Sequence, residues 1–358
     1  MIVAPFPPRP RSLVGRKQEL ATLATLLGSR RARVALVGSG GSGKTTLAQE
    51  LAHSVASWFL GGVHWLRIGA WDERVLGEML ALRLGLRRRS LRDVASALRR
   101  GGKRLIVFDN HEDDRATAAV LEAVGPRAPV SVVVTARRCL VAGITIVPVV
   151  PPLVLAERAP FPRVKGLTRA LRSSPLALGL ADALVKERVT SARTLAAWLE
   201  EQGLLRVRAL EHEDDVPEVA LLVERAWRAL DTAPRRLLSV LAHVDGEHVD
   251  HESLARLARV GSRAEPAIAR LRSLRLVQEP FRGRFALHAT VKHALVKKTR
   301  FDRRRIFEHY VALLEREPRR LLLEESHLFA AMDYAHEIGE LDSILRVDAL
   351  VSALSQGG

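Results

Sequence analysis

Through the first 150 residues, short β-branched and leucine-rich runs alternate with segments whose apolar residues recur at helical spacing. Residues 34–37, 63–68, 105–108 and 130–134 read as buried strands, and 144–150 is a fifth candidate that ends at Pro151 and Pro152. Helical spacing precedes the first of them at Leu20, Leu23, Leu26 and Leu27 and follows it at Leu47, Leu51 and Val55. It separates the others over 75–84, 91–98 and 116–124. Strands this apolar need cover on both faces, and a helix after each supplies it. The pattern predicts a parallel sheet with helices on both sides over residues 13–150.

Past Pro152 the β-branched runs stop. Residues 151–210 read as a small helical domain, with an irregular proline-containing stretch over 159–164, and an acidic linker, 211–215, follows it. Helical segments then occupy 221–230, 235–244, 252–260 and 265–274. Two short strands, 276–279 and 284–287, flank a turn at 280–283. Helices closed by a hairpin predict a winged-helix domain over 216–300. Residues 301–358 return to helix, with Leu328, Ala331, Tyr334 and Ala335 on one face, and residues 1–12 form a proline-rich extended arm. No internal repeat is evident.

Charge and composition change this picture little. Hydrophobic residues make up 47% of the 358, enough for several cores, and no apolar run approaches the length of a membrane span. The N-terminus has no secretory leader pattern, so a cytoplasmic chain is expected. The net charge of +16 favours phosphate-bearing or acidic partners, but the arginines are dispersed along solvated faces. The local runs 87–89 and 303–305 lack the interleaved aromatics of a single-strand platform. One cysteine, Cys139, excludes an intrachain disulfide and a cysteine-built metal cage, so structural zinc is not expected.

The chemistry is carried by residues 38–46, GSGGSGKTT, between the first strand and its helix. They satisfy G-x-x-x-x-G-K-[ST], the phosphate-binding loop of P-loop NTPases. Gly38, Gly40, Gly41 and Gly43, with Ser42, let the backbone wrap a nucleotide's phosphates at the positive end of a helix. Lys44 is expected at the β- and γ-phosphates, Thr45 on magnesium and Thr46 near the α-phosphate. The ligands implied are ATP and ADP with Mg2+.

A second acidic centre is needed at a neighbouring strand end, and Leu105–Asp109 provides it, with Asp109 expected to contact magnesium. Asn110 follows where a hydrolase has its second acid, leaving Glu112 or Asp113 as the candidate base and implying slow hydrolysis. Thr135-Ala136-Arg137-Arg138 closes the next strand, where Arg137 is expected to sense the γ-phosphate.

The order of these motifs resembles the NB-ARC branch of the STAND signalling NTPases, over about Leu13 to Arg300. Val14-Gly15-Arg16 is similar to the family's adenine-side entry motif, which implies nucleotide contacts for Val14 and Arg16. Ser174-Pro175-Leu176-Ala177-Leu178 is similar to its G-x-P-L-A-L motif and implies that Pro175 packs on the adenine or sugar. Phe285-Ala286-Leu287-His288 resembles the winged-helix segment whose histidine meets the β-phosphate of ADP, the role implied for His288. The chain departs from the family at Ser174, at Ala289 in place of an aspartate, and at Asn110.

The resemblance implies a nucleotide-operated switch that self-associates in its ATP state and acts on an unidentified protein partner. Residues 301–358 then resemble the lead-in to a repeat-built sensor. Two alternatives remain. A DNA-binding regulator would use Arg263, Arg270, Arg272 and Arg275 on or beside the third helix of the winged helix. An AAA+ type ATPase fits less well, because that class places Asp-Glu at the strand end where Asp109-Asn110 stands here.

Overall fold

The structure, a computed structural model, describes residues 15–28, 31–68, 71–86, 90–150, 174–206, 217–244, 248–321 and 323–356, together with Pro7, Arg9, Pro10, Leu13, Val164, Leu167 and Leu171. The chain forms two compact units, Met1–Pro152 and Leu153–Gly357. Val14, the run 87–89, the linker 211–215 and most of the stretch 159–164 lie outside the described residues.

The first unit is a five-stranded parallel sheet clad in helices. Its elements are α1 (Lys17–Gly28), β1 (Arg33–Val37), α2 (Lys44–Val55), β2 (Val63–Arg67), α3 (Glu73–Arg83), α4 (Leu91–Arg100), β3 (Arg104–His111), α5 (Asp114–Val124), β4 (Val130–Ala136) and β5 (Thr145–Pro148). The strand order is β2-β3-β4-β1-β5, so β1 lies between β4 and β5, and every recorded pairing is parallel. The predicted strands are all present, each within a few residues of its expected ends. β4 is buried along its whole length, as expected of a strand covered on both faces. Leu23 and Leu27 of α1 join Leu47, Leu51 and Val55 of α2 in a core against Val34 and Leu36 of β1. Within the N-terminal arm, Arg9 pairs with Glu50 of α2 and the Pro7 carbonyl meets the His53 imidazole at 2.9 Å.

One irregularity shapes the site. β3 pairs with β4 in register through Phe108↔Val134, then resumes at His111↔Ala136, so one extra residue is accommodated between. This is a β-bulge, and Asn110 within it has φ 58°, the left-handed region that asparagine tolerates better than most side chains.

The second unit holds α6 (Pro175–Lys186), α7 (Ala192–Arg206), α8 (Pro217–Arg228), α9 (Thr232–His243), β6 (Val249–Asp250), α10 (His251–Ala258), α11 (Ala264–Ser273), β7 (Gln278–Phe281), β8 (Arg284–Ala286), α12 (Ala289–Val296), α13 (Arg303–Arg316), α14 (Glu325–Ile338) and α15 (Leu341–Gln356). The hairpin is tighter than its sequence implied. Pro280 lies inside β7, and the turn reduces to Arg282 and Gly283, with Gly283 at φ 72°. Proline is tolerated there because β7 is an edge strand of the sheet β6-β8-β7, and the pairing is irregular between Gln278 and Phe281. The two-residue strand β6 is too short to leave a sequence pattern. It pairs antiparallel with β8 and leads directly into α10, whose N-cap Asp250 accepts from the Ser253 N–H.

A buried ionic network ties this small sheet to the helices after it. Glu324, fully buried, accepts from Arg284 of β8 through both carboxylate oxygens, at 2.9 and 2.5 Å, and from Arg320 at 2.7 Å. Arg320 also reaches Asp250 at 2.9 Å, and Arg284 Nε donates to His248 Nδ1 at 2.7 Å.

Candidate nucleotide site

In a parallel sheet all strands present their carboxyl ends on one edge, where ligands of open α/β sheets bind. Here β1, β3 and β4 bring the glycine loop, Asp109 and Thr135 together on that edge. The loop backbone depends on glycine at particular places. Gly41 and Gly43 have φ 76° and 92°, where a side chain is strained, and a Cβ on Gly38 would lie 2.4 Å from the Val149 carbonyl oxygen. Because that obstacle is backbone, Gly38→Ala is expected to destabilise the first unit by roughly 1 to 3 kcal/mol. Urea unfolding measures this, and a midpoint matching the parent's would show that the loop absorbs the methyl group.

Lys44 lies at the first position of α2, and its ammonium donates to the Gly38 and Ser39 carbonyls, each at 2.8 Å. Burial, then the charge of Arg137, pushes its pKa down to about 8, against the opposing pull of Asp109. Arg137, expected as the γ-phosphate sensor, is thus within electrostatic reach of Lys44, with its side chain exposed at the end of β4. Thr46 follows in the first turn of α2, and Gly40 is at the turn of the loop. The Ser42 hydroxyl is buried inside the loop with no hydrogen-bond partner among the described residues. A buried hydroxyl and an ammonium whose hydrogen bonds, among the described residues, go to loop carbonyls are what a phosphate-binding loop offers an anion, so these residues fit a nucleotide's phosphates.

Asp109 is nearly buried, and its Oδ1 accepts from the Thr45 hydroxyl at 2.7 Å and the Thr135 hydroxyl at 2.6 Å. Thr135 in turn accepts from the Asn110 N–H at 3.0 Å. Four residues, from two strand ends and the first turn of α2, therefore form one chain of hydrogen bonds. A hard cation such as magnesium suits Thr45 and Asp109, both of which offer oxygen. Asp109 is buried toward Thr45 and Thr135 while its neighbour Asn110 turns toward Glu112.

The other expected residues of this unit have partners within the chain. Arg16 is 3% exposed, and its guanidinium donates to the Ser42 carbonyl at 2.6 Å and pairs with Glu19, so it braces the loop from below. Glu112 is exposed and accepts from Asn110 Nδ2 at 3.0 Å. Asp113, the other candidate base, caps α5 by accepting from the Arg115 and Ala116 N–H groups. Sequence pattern assigned no role to Thr135 or Glu19. For Thr135 the available signal was a hydroxyl ending an apolar strand beside the carboxylate-bearing one.

In the second unit, Pro175 is the first residue of α6, and Ser174, which departs from the family's glycine, is its N-cap and accepts from the Ala177 N–H. His288 caps α12, with Nδ1 accepting from the Thr290 N–H at 3.2 Å, which leaves the ring proton of the neutral imidazole on Nε2. Two of the arginines available for DNA are engaged within the chain: Arg270 with Glu187 at 2.6 Å and Arg272 with Glu279 at 3.0 Å.

The parallel sheet, the strand–glycine loop–helix and the Thr45–Asp109 pair define the α/β fold of a P-loop NTPase. Among solved structures the chain is similar to a signal transduction ATPase with numerous domains, a STAND protein with a tetratricopeptide repeat sensor from Pyrococcus horikoshii. The TM-score is 0.63 at 20% identity, covering 96% of this chain and 51% of that one, so this chain spans about half that protein's length. Cdc6p from Pyrobaculum aerophilum matches at a TM-score of 0.35 and 13% identity, over 83% of this chain and 98% of that one. A Walker-type ATPase of Pyrococcus abyssi matches at 0.36 and 15%, over 83% and 100%. Overlap at those two TM-scores carries no weight. No protein-family model matches the chain, and no curated protein sequence matches it. Among the described residues, no helix is long and apolar enough to cross a membrane.

Proposed function

We propose that this chain is a STAND-type nucleotide switch of the NB-ARC kind, binding ATP and ADP with magnesium and hydrolysing slowly. The observation that carries the reading is the chain of hydrogen bonds Thr45–Asp109–Thr135–Asn110. Magnesium held through a lone pair of the Thr45 hydroxyl would leave its proton donated to Asp109 and strengthen that bond, so a change of nucleotide would be felt along the chain at Thr135, two residues before Arg137. A site whose occupancy is relayed to a neighbouring strand end is suited to reporting state. Asn110 and the capping of α5 by Asp113 favour slow turnover over rapid hydrolysis.

The second unit supplies the moving part in this reading. Helices α9 to α11 with the β7–β8 hairpin have the makings of a winged helix, and α12 carries at its N-cap His288, the residue read as meeting the β-phosphate of ADP. Exchange of ADP for ATP removes that preference and permits self-association, which requires only a few kcal/mol of differential affinity between the two arrangements. Engagement of Arg270 and Arg272 by Glu187 and Glu279 disfavours DNA reading through α11.

The test is to identify nucleotide in the purified protein and to measure its mass in solution with ADP and with a non-hydrolysable ATP analogue. ADP carried through purification and a larger assembly with the analogue are expected, with His288→Ala weakening ADP binding more than ATP binding. Equal affinities and one mass under both nucleotides would sink the switch.

A further inference from the structure

Beside the nucleotide residues, and separate from them, three different metal-binding side chains converge. The β3 bulge turns His111 inward, where it is 3% exposed, and brings its Nε2 2.8 Å from Asp114 Oδ1 in the first turn of α5. Cys139, buried and reduced, lies just beyond β4, and its thiol meets the same carboxylate. One ligand atom from each of the three lies within 4.8 Å of the others.

We propose that His111, Asp114 and Cys139 form a binding site for a zinc-class divalent cation. The donor set is imidazole, carboxylate and thiolate, which suits a borderline-soft ion rather than magnesium or calcium. The single cysteine had excluded a cage of several thiolates, and a mixed site revises that expectation, since it needs only one.

The surroundings are those a metal site requires. Thr117 Oγ1 lies 3.0 Å from His111 Nδ1, so once Nε2 gives its lone pair to the ion and the ring proton moves to Nδ1, that proton has an acceptor waiting. The Leu140 N–H donates to both oxygens of Asp114, at 3.1 and 3.2 Å, and fixes the carboxylate. Asp114 is one-third exposed, which gives the ion a route in and a water as fourth ligand. Burial, with the charge of Asp114 adding to it, holds the Cys139 thiol protonated in the free protein. Binding the cation replaces that proton: the S–H bond breaks, the sulfur–metal bond forms, and the proton leaves to solvent. The ion would clamp the β3–α5 turn, which follows Asp109, to the segment after β4, which follows Arg137.

The test uses the full chain, freed of nucleotide, titrated with Co2+ as the probe. One equivalent is expected to produce a near-ultraviolet thiolate-to-cobalt band with intense visible bands, both removed by Zn2+. Cys139 is the only cysteine, so the near-ultraviolet band has a single source, and the nucleotide residues, which contain no sulfur, cannot mimic it. Cys139→Ser is expected to abolish the band, and Asp114→Asn, which keeps the acceptor for Leu140, to weaken cobalt binding roughly 10- to 100-fold. Circular dichroism confirms that each variant is folded. The proposal is overturned if folded parent protein gives no band, or if the band persists unchanged in Asp114→Asn and His111→Ala, which would place cobalt on the thiol alone. Nucleotide binding is read separately and stands or falls by itself.

Discussion

Replacing Glu324 with glutamine is expected to cost the second unit about 3 to 5 kcal/mol, among the largest losses a single isosteric change can produce. Glu324 is the only anion that touches both Arg284, 6% exposed overall, and Arg320 among the described residues, and its own side chain is fully buried. Burial pushes the carboxyl up, but the hydrogen bond from Arg284 and the other surrounding cations outweigh it and hold it below its ordinary value. Neutralising it leaves two guanidiniums with Asp250 and Glu317 as the remaining carboxylates, and both of those ion pairs are with Arg320, not Arg284. The neighbouring histidines cannot help: His248 is held down to about 3, first by burial and then by the Arg284 charge, and His327 to about 4 by burial. Both are already neutral at physiological pH.

The same physics makes the double replacement informative. Arg284→Met with Glu324→Leu removes the charges together and lets apolar volume take their place, so it is expected to recover most of the loss. Urea unfolding of the parent, the two single variants and the double variant measures the coupling directly. A loss below about 1 kcal/mol for Glu324→Gln would mean that water reaches Arg284. A double variant as weak as the single would place the loss in packing rather than charge.

The network also shows where reading the sequence runs out. The five strands of the first unit were legible because a parallel sheet buried on both faces demands apolar runs, and glycine or proline bounds several of them. The phosphate loop was legible because its chemistry is local, nine consecutive residues between a strand and a helix. Arg284 and Glu324 stand 40 residues apart, and Glu324 next to Glu325 reads as the start of a solvated helix. Nothing nearby says that one of the two is fully buried. Arg16 was read from motif position as a nucleotide contact; its guanidinium also holds a backbone carbonyl 26 residues away, and carbonyls leave no mark in a sequence. Asn110 was legible only as a missing acid. The bulge gives the position a second constraint, a left-handed backbone, which hydrophobic periodicity does not encode.

Lys44→Ala is expected to weaken ATP and ADP binding by about 2 to 4 kcal/mol, roughly 30- to 1,000-fold, since it removes a partly buried cation placed to donate to phosphate oxygens. Loss of affinity alone would not separate that role from a disturbed loop, because Lys44 also holds the Gly38 and Ser39 carbonyls. Its titration does. In the free protein burial and the Arg137 charge lower the Lys44 pKa to about 8, and bound phosphates must raise it by stabilising the cation. Below pH 8 the lysine is already charged and binding takes up no proton. Above pH 8 each binding event must also protonate it, so affinity falls with rising pH, approaching tenfold per unit until the pKa of the bound state is reached. The parent is expected to show this decline between pH 8 and 9.5 together with proton uptake, measured by calorimetry in buffers of different ionisation enthalpy. Lys44→Ala is expected to bind weakly with little pH dependence across the same range. An equally steep decline in the variant would assign the titrating group elsewhere, and affinity within threefold of the parent would remove Lys44 from the phosphate site.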